Sequence, residues 1–211
     1  MNLNECIDEF IKNIEAGVPI FSNDIYEFVK NKLTKMEKPT FNMTLQRYEK
    51  SNDGFIRYQK GIYYKTTLTP FGLSKIDKTL LIKRLYLSHK EEVFGYESGP
   101  SYMNKIGLTT QIPSLTYIAT NKVRYSVLDE EDKIRFIKPV IPIDKDNYRY
   151  LQLLDILDNK MNIEIEASNY IEILRKEISK HHLNFETLIH LASYYNSRKV
   201  YLGLSKIARY R

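Results

Sequence analysis

Asn42, Gln46, Arg47 and Lys50 fall close together in the chain, with Thr40 and Thr44 beside them. Amide side chains can pair with the edge of adenine and Arg or Lys with guanine, while hydroxyls serve bases or phosphates. A few residues later Arg57, Lys60 and Lys65 lie on or beside a turn at a glycine, Gly61. Cations at a turn suit phosphate oxygens better than base edges. The chemistry these residue types can do is recognition of nucleic acid, with no bond made or broken.

Other residues are candidates for catalysis or metal binding. The histidines are His89, His181, His182 and His190. His181 and His182 are adjacent, so on a helix they point in different directions, and no cysteine completes a zinc set. Residues 95–99, with a glycine at each end, precede a predicted helix. They lack the Gly-Lys-Ser/Thr ending of a P-loop and the third glycine of a dinucleotide fingerprint, and read as a strand-to-helix corner. Asp129-Glu130-Glu131-Asp132 reads as an acidic turn between strands. Glu97, Asp129 and Glu131 are the carboxylates an enzyme acting on nucleic acid would need to converge. No acid, base and oxyanion site assemble from the sequence, so no catalysis and no cofactor are expected.

The elements that must hold the basic and amide residues can be read from periodicity. Cys6, Ile7, Phe10, Ile11 and Ile14 follow the i, i+3, i+4 rhythm of a first helix that ends near Gly17 and Pro19. Ser22 is the expected N-cap of a second helix with Ile25, Phe28, Val29 and Leu33 inward. Thr40 is the expected N-cap of a third, with Phe41, Leu45 and Tyr48 inward and the amide and basic residues outward. Residues 51–54 stop it. Two strands follow, with Ile56, Tyr58, Ile62 and Tyr64 on the half-buried face and Gly61 in the turn. Three helices and a basic hairpin within about 65 residues predict a winged helix-turn-helix over residues 1–70.

The rest, 71–211, is expected to be an α+β domain. The segment from Leu73 to Leu87 is predicted to contain a helix, and another is predicted from Pro100 to Gly107. Strands are predicted over 115–120, 123–128 and 134–140, forming a small antiparallel sheet. Helices follow over 148–157, around Ile171 to Ile178, over Phe185 to Ala192, and in a tail carrying Val200, Leu202, Leu204 and Ile207.

Composition supports this picture. The net charge is +6 over 211 residues. Residues 30–65 alone hold nine Lys or Arg against three Asp or Glu, whereas residues 1–29 are acidic. A positive block on one helix and hairpin is the electrostatic footprint of a nucleic-acid surface. The single cysteine, Cys6, allows no internal disulfide and falls on an apolar helix face. A polar start after Met1 and the lack of long apolar runs predict a cytoplasmic protein with no membrane partner.

Four segments resemble, in order, AbiEi-like proteins. They are Lys60-Gly61-Ile62-Tyr63-Tyr64, Thr69-Pro70-Phe71-Gly72, Gly95-Tyr96-Glu97-Ser98-Gly99, and Gly107-Leu108-Thr109-Thr110-Gln111-Ile112-Pro113. The resemblance covers about residues 20–125. These proteins are the antitoxin-type transcriptional regulators of bacterial abortive-infection toxin–antitoxin pairs. The resemblance implies an N-terminal winged helix on the promoter of its own operon and a C-terminal domain needed for antitoxin activity. It further implies functional pairing with a nucleotidyltransferase-like toxin, without requiring direct contact. Arg47 and Lys50 would then lie on the recognition helix, and Arg57 and Lys60 on the wing. A homodimer is compatible with operators built of paired half-sites. Two alternatives stay open: a nucleic-acid-acting enzyme carried by a winged helix, and a protein–protein adaptor whose basic faces meet an acidic partner.

Overall fold

The computed structural model describes residues 2–160 and 162–209. The chain is a mixed α+β protein that divides into two compact units, Met1–Ile82 and Lys83–Arg211. That division lies beyond the expected boundary at residue 70. The extra segment is tied to the first unit by the Asp77 N–H, which donates to the Gly17 carbonyl at 2.8 Å. The Thr66 hydroxyl also donates to the Ser74 carbonyl at 2.8 Å.

The first unit begins with α1 (Leu3–Lys12). Asn2 and Glu5 form a reciprocal capping box that satisfies two free N–H groups at its start. Cys6, Ile7 and Ile11 are its buried face. Strand β1 (Ile20–Phe21) leads directly into α2 (Ser22–Lys32). Ser22 is not the N-cap; Phe21 holds that position and gives no side-chain cap bond. The Ser22 N–H is instead satisfied by the Gly61 carbonyl at 2.9 Å, because β1 is paired there with the hairpin.

Helix α3 (Lys38–Ser51) buries Phe41 and Leu45. It starts two residues before Thr40, the expected cap. Pro39 sits in the first turn, where its missing N–H costs nothing, and Glu37 becomes the N-cap. The Tyr48 hydroxyl donates to Asp8 and ties α3 to α1.

Strands β2 (Phe55–Gln59) and β3 (Ile62–Lys65) form the hairpin, and β1 adds to the other edge of β3. All pairings in this sheet are antiparallel. Of the face expected to be half-buried, Ile62 is buried and Ile56 and Tyr64 are partly buried. Phe55 and Tyr63 are buried and stack at 5.0 Å, while Tyr58 is exposed. An irregularity between Arg57 and Gln59 inserts one residue and turns Tyr58 out of phase. Gly61 has φ +78° in the turn, as the tight connection requires.

A small hairpin follows, β4 (Leu68–Thr69) with β5 (Gly72–Leu73), and Phe71 at its tip is fully exposed. The helix expected within residues 73–87 is present but starts late. The chain stays non-helical until Asp77, whose carboxylate accepts the Leu80 N–H and starts α4 (Lys78–Ile82). Lys83–Leu87, at the start of the second unit, is a π-helical turn.

In the second unit, β6 (Ser88–His89) pairs with β7 (Glu92–Val93). Then come β8 (Gly95–Glu97), α5 (Gly99–Lys105), β9 (Thr116–Thr120), β10 (Val127–Asp129) and β11 (Ile134–Ile137). The last four strands make a sheet in the order β10-β11-β9-β8. It is not wholly antiparallel, because β9 and β11 run parallel. The Asn121–Lys122 turn does not return the chain as a hairpin. The Asn121 amide exchanges hydrogen bonds of 2.7 and 2.9 Å with the Ile143 backbone. The next strand starts only at Val127 and pairs with β11 across the acidic turn.

Helix α6 (Tyr148–Asp158) buries residues around its circumference, including Leu151, Leu153, Leu154 and Ile156. Helices α7 (Tyr170–Lys180), α8 (Phe185–Ala192) and α9 (Arg198–Arg209) pack around the same cores. On α9, Val200, Leu204 and Ile207 are buried, but Leu202, expected inside, is half exposed, as helical spacing from Val200 dictates. Among the described residues, no helix is long and apolar enough to cross a membrane.

Candidate nucleic-acid interface

One stripe of α3 carries Lys38, Asn42, Gln46 and Lys50, four residues apart, so they share a helix face. The hairpin turn brings Arg57 and Lys60 up beside that face. Lys38, Asn42, Gln46, Arg57 and Lys60 line one groove of about 270 Å³, with Ser22, Leu45, Gly61 and Tyr63 completing it. Burial of Phe41 and Leu45 against the core fixes which way α3 presents the stripe. The Gly61 turn and its bond to Ser22 fix where the hairpin tip stands.

The expected site residues are therefore partly gathered and partly separated. Asn42, Gln46, Arg57 and Lys60 come together in the groove. Lys50 continues the same stripe at the C-terminal end of α3. Thr40, Thr44 and Arg47 follow a second stripe, well over 90° around the helix from Asn42 by helical geometry. Thr44 is half-buried and donates to the Thr40 carbonyl at 3.1 Å, so its hydroxyl already has a partner. Lys38 and Ser22 are groove residues that the sequence did not reveal. Lys38 is four residues before Asn42, and that spacing would have found it had the helix been started before Thr40.

The positive charge sorts in the same way. Arg47, Lys50, Arg57 and Lys60 are exposed, and none forms an ion pair with a described residue. Lys38 donates to the neutral Asn23 side chain at 3.2 Å. Lys32 pairs with Glu9 on α1. Lys65, which sequence places beside the wing, points away from it. Its ammonium donates to the carbonyls of Ile14 at 2.6 Å, Ile11 at 3.2 Å and Lys12 at 3.4 Å, closing the C-terminal end of α1. A cation there satisfies orphan carbonyls and the helix dipole. Tyr63, in the groove floor, has its hydroxyl pKa pushed up by burial, with the nearby Arg57 charge acting in the opposite direction.

The carboxylates of the enzymatic alternative do not meet. Glu97 ends β8 and pairs with Lys105 at 3.2 Å, whereas Asp129 ends β10 at the far edge of the sheet. Three strand spacings separate those edges, roughly 14 Å. Glu131 lies in the exposed turn after β10. Among the described residues, no group of three His, Cys, Asp or Glu could hold a metal ion. The 95–99 segment is a strand-to-helix corner, and Gly95 is there for packing. A Cβ at Gly95 would stand 2.0 Å from the Tyr86 carbonyl oxygen and 2.8 Å from that of Ala119.

No protein-family model matches the chain, and no curated protein matches it. On one concave face the chain presents the Asn42 and Gln46 amides beside the Lys38, Arg57 and Lys60 cations.

Proposed function

We propose that the first unit is a winged helix that binds double-stranded DNA. Helix α3 enters the major groove, and the β2–β3 hairpin acts as the wing on the phosphate backbone. The order of elements supports this reading: helix, short strand, helix, helix, hairpin, with β1 on the free edge of β3. The observation that carries it is the single groove shared by Lys38, Asn42, Gln46, Arg57 and Lys60. Asn42 and Gln46 are its base readers, and the cations anchor the backbone.

With the resemblance of four segments to AbiEi-like proteins, we infer a non-catalytic autorepressor and antitoxin acting with a nucleotidyltransferase-like toxin. A mobility-shift titration on the DNA upstream of its own gene tests the DNA reading. A shift at low salt that weakens steeply as salt rises is expected. No shift at low salt refutes it. Co-expression with a neighbouring nucleotidyltransferase-like reading frame tests the antitoxin reading. Growth restored by the intact chain is expected, and arrest that persists refutes it.

A further inference from the structure

The second unit contains a cavity of about 350 Å³ bounded by the sheet, α5 and the C-terminal end of α6. That is within the range of sites that hold small molecules. Its acidic wall comes from α6. Asp155 has protein on every side, and the part of its surface that stays accessible belongs to the cavity it lines. Its carboxylate is fully engaged, accepting from the hydroxyls of Tyr195 at 2.8 Å and of Tyr96 and Ser98 at 2.9 Å each.

Asp158 is different. It is 6% exposed and lines the same cavity, yet its Oδ2 is closed to solvent and accepts no hydrogen bond. Its ionic partner is the Lys160 ammonium at 3.4 Å, on a side chain that is 70% exposed. A carboxylate oxygen removed from water without a hydrogen bond is costly, and a solvated ammonium offsets only part of that cost. Lys160 also lines the cavity, beside Asp158, and the opposite, basic wall comes from Arg135 on β11 and Lys138 just after it. Neither forms an ion pair with a described residue.

We propose that this cavity binds a small zwitterion, with its ammonium against Asp158 and its anionic group, carboxylate or phosphate, against Arg135 and Lys138. A simple anion would satisfy the basic wall and be repelled by two carboxylates. A simple cation would leave the basic wall unpaired. A metal ion would find only two carboxylates, one of them already accepting three hydroxyl bonds. Met103, Ile137 and Ile163 line much of the remainder and suit a short hydrocarbon spacer. The site is independent of the DNA surface, so either proposal can fail without the other.

The test uses the full chain and two measurements, thermal unfolding and titration calorimetry. The probes are glycine, γ-aminobutyrate and 6-aminohexanoate as a carboxylate series of graded length, and phosphoethanolamine for phosphate. Butyrate, ethyl phosphate and ethanolamine each lack one end. At least one zwitterion is expected to bind with Kd at or below about 1 mM, with each one-ended control at least tenfold weaker. Asp158→Asn is expected to leave the unliganded melting temperature unchanged or raised, because it removes a charge whose buried Oδ2 accepts no hydrogen bond, and to weaken binding at least tenfold. Paired Arg135→Gln and Lys138→Gln changes are expected to weaken binding similarly. Absence of binding by all four zwitterions overturns the proposal. Equal binding of a one-ended control, or retained affinity in Asp158→Asn, does the same. A clear fall in the unliganded melting temperature of Asp158→Asn would show the carboxylate to be structural and would also overturn it.

Discussion

Replacing Lys60 with Gln tests the wing through the dependence of affinity on salt. Four cations are placed for phosphate contact: Lys38, Arg57 and Lys60 line the groove, and Lys50 continues the α3 stripe beyond it. Each phosphate contact releases condensed counterions and adds about −0.9 to the slope of log K against log salt. Four contacts give a slope of about −3.6, a loss of roughly 150-fold between about 50 and about 200 mM salt. Lys60→Gln should reduce the slope to about −2.7 and the loss to roughly 40-fold. The two proteins should therefore differ most at low salt and converge as salt rises. Fluorescence anisotropy with operator and scrambled duplexes, at four or more salt concentrations, reads the slope directly. Both duplexes should show the same change, since a phosphate contact carries no sequence information. An unchanged slope, or a loss confined to the operator, would refute the assignment of Lys60 to phosphate.

The remaining predictions address base reading, the turn, the internal cation and the buried carboxylate. Gln46→Ala should cost about 1–3 kcal/mol on the operator while leaving the salt slope intact, measured in the same titrations. Gly61→Ala forces φ +78° on a residue with a Cβ and places that atom 3.2 Å from the Ser22 hydroxyl. It should destabilise the protein by about 1–2 kcal/mol in urea unfolding. Lys65→Met removes the donor to three carbonyls at and just beyond the end of α1 and should cost about 1.5–3 kcal/mol of stability without altering the salt slope. For Asp155, burial raises the carboxyl pKa above its ordinary value, against the lowering effect of the Tyr195, Ser98 and Tyr96 hydroxyls. A raised folded-state pKa means the folded protein binds the proton more tightly. The stability it lends is complete below the unfolded value of about 3.9 and is lost as pH rises through the higher folded value. Wild type should therefore gain stability relative to Asp155→Asn as pH is lowered from neutrality. Urea unfolding of both proteins over that range reads the sign, and a relative loss would refute it.

The sequence made the helices of the first unit legible because Cys6, Ile7, Ile11, Phe41 and Leu45 repeat with helical spacing, and the structure buries those residues. Gly61 likewise marked the hairpin turn. The exposure of Tyr58 was not legible, because the extra residue beside it shows only in the pairing geometry. Lys38 was hidden because Thr40, directly before the apolar Phe41, reads as the helix cap, whereas the helix begins at Lys38 with Glu37 as N-cap. Lys65 was misplaced because its partners lie more than fifty residues earlier, and a charge count cannot separate an internal cation from a free one. The parallel pairing of β9 with β11 depends on the contact of Asn121 with Ile143, which local sequence does not encode. The opposed walls of the cavity are equally non-local, with Asp158 on α6 and Arg135 on β11.

Strand β3 runs from the hairpin tip to Lys65, whose ammonium grips the end of α1. The hairpin is thus a lever with its fulcrum embedded in the first helix, and not a loop free to sweep. Docking it against a rigid partner would require little ordering of main chain. Any affinity of this surface should accordingly be limited by side-chain immobilisation and desolvation, leaving the lysine tips as the compliant part of the contact.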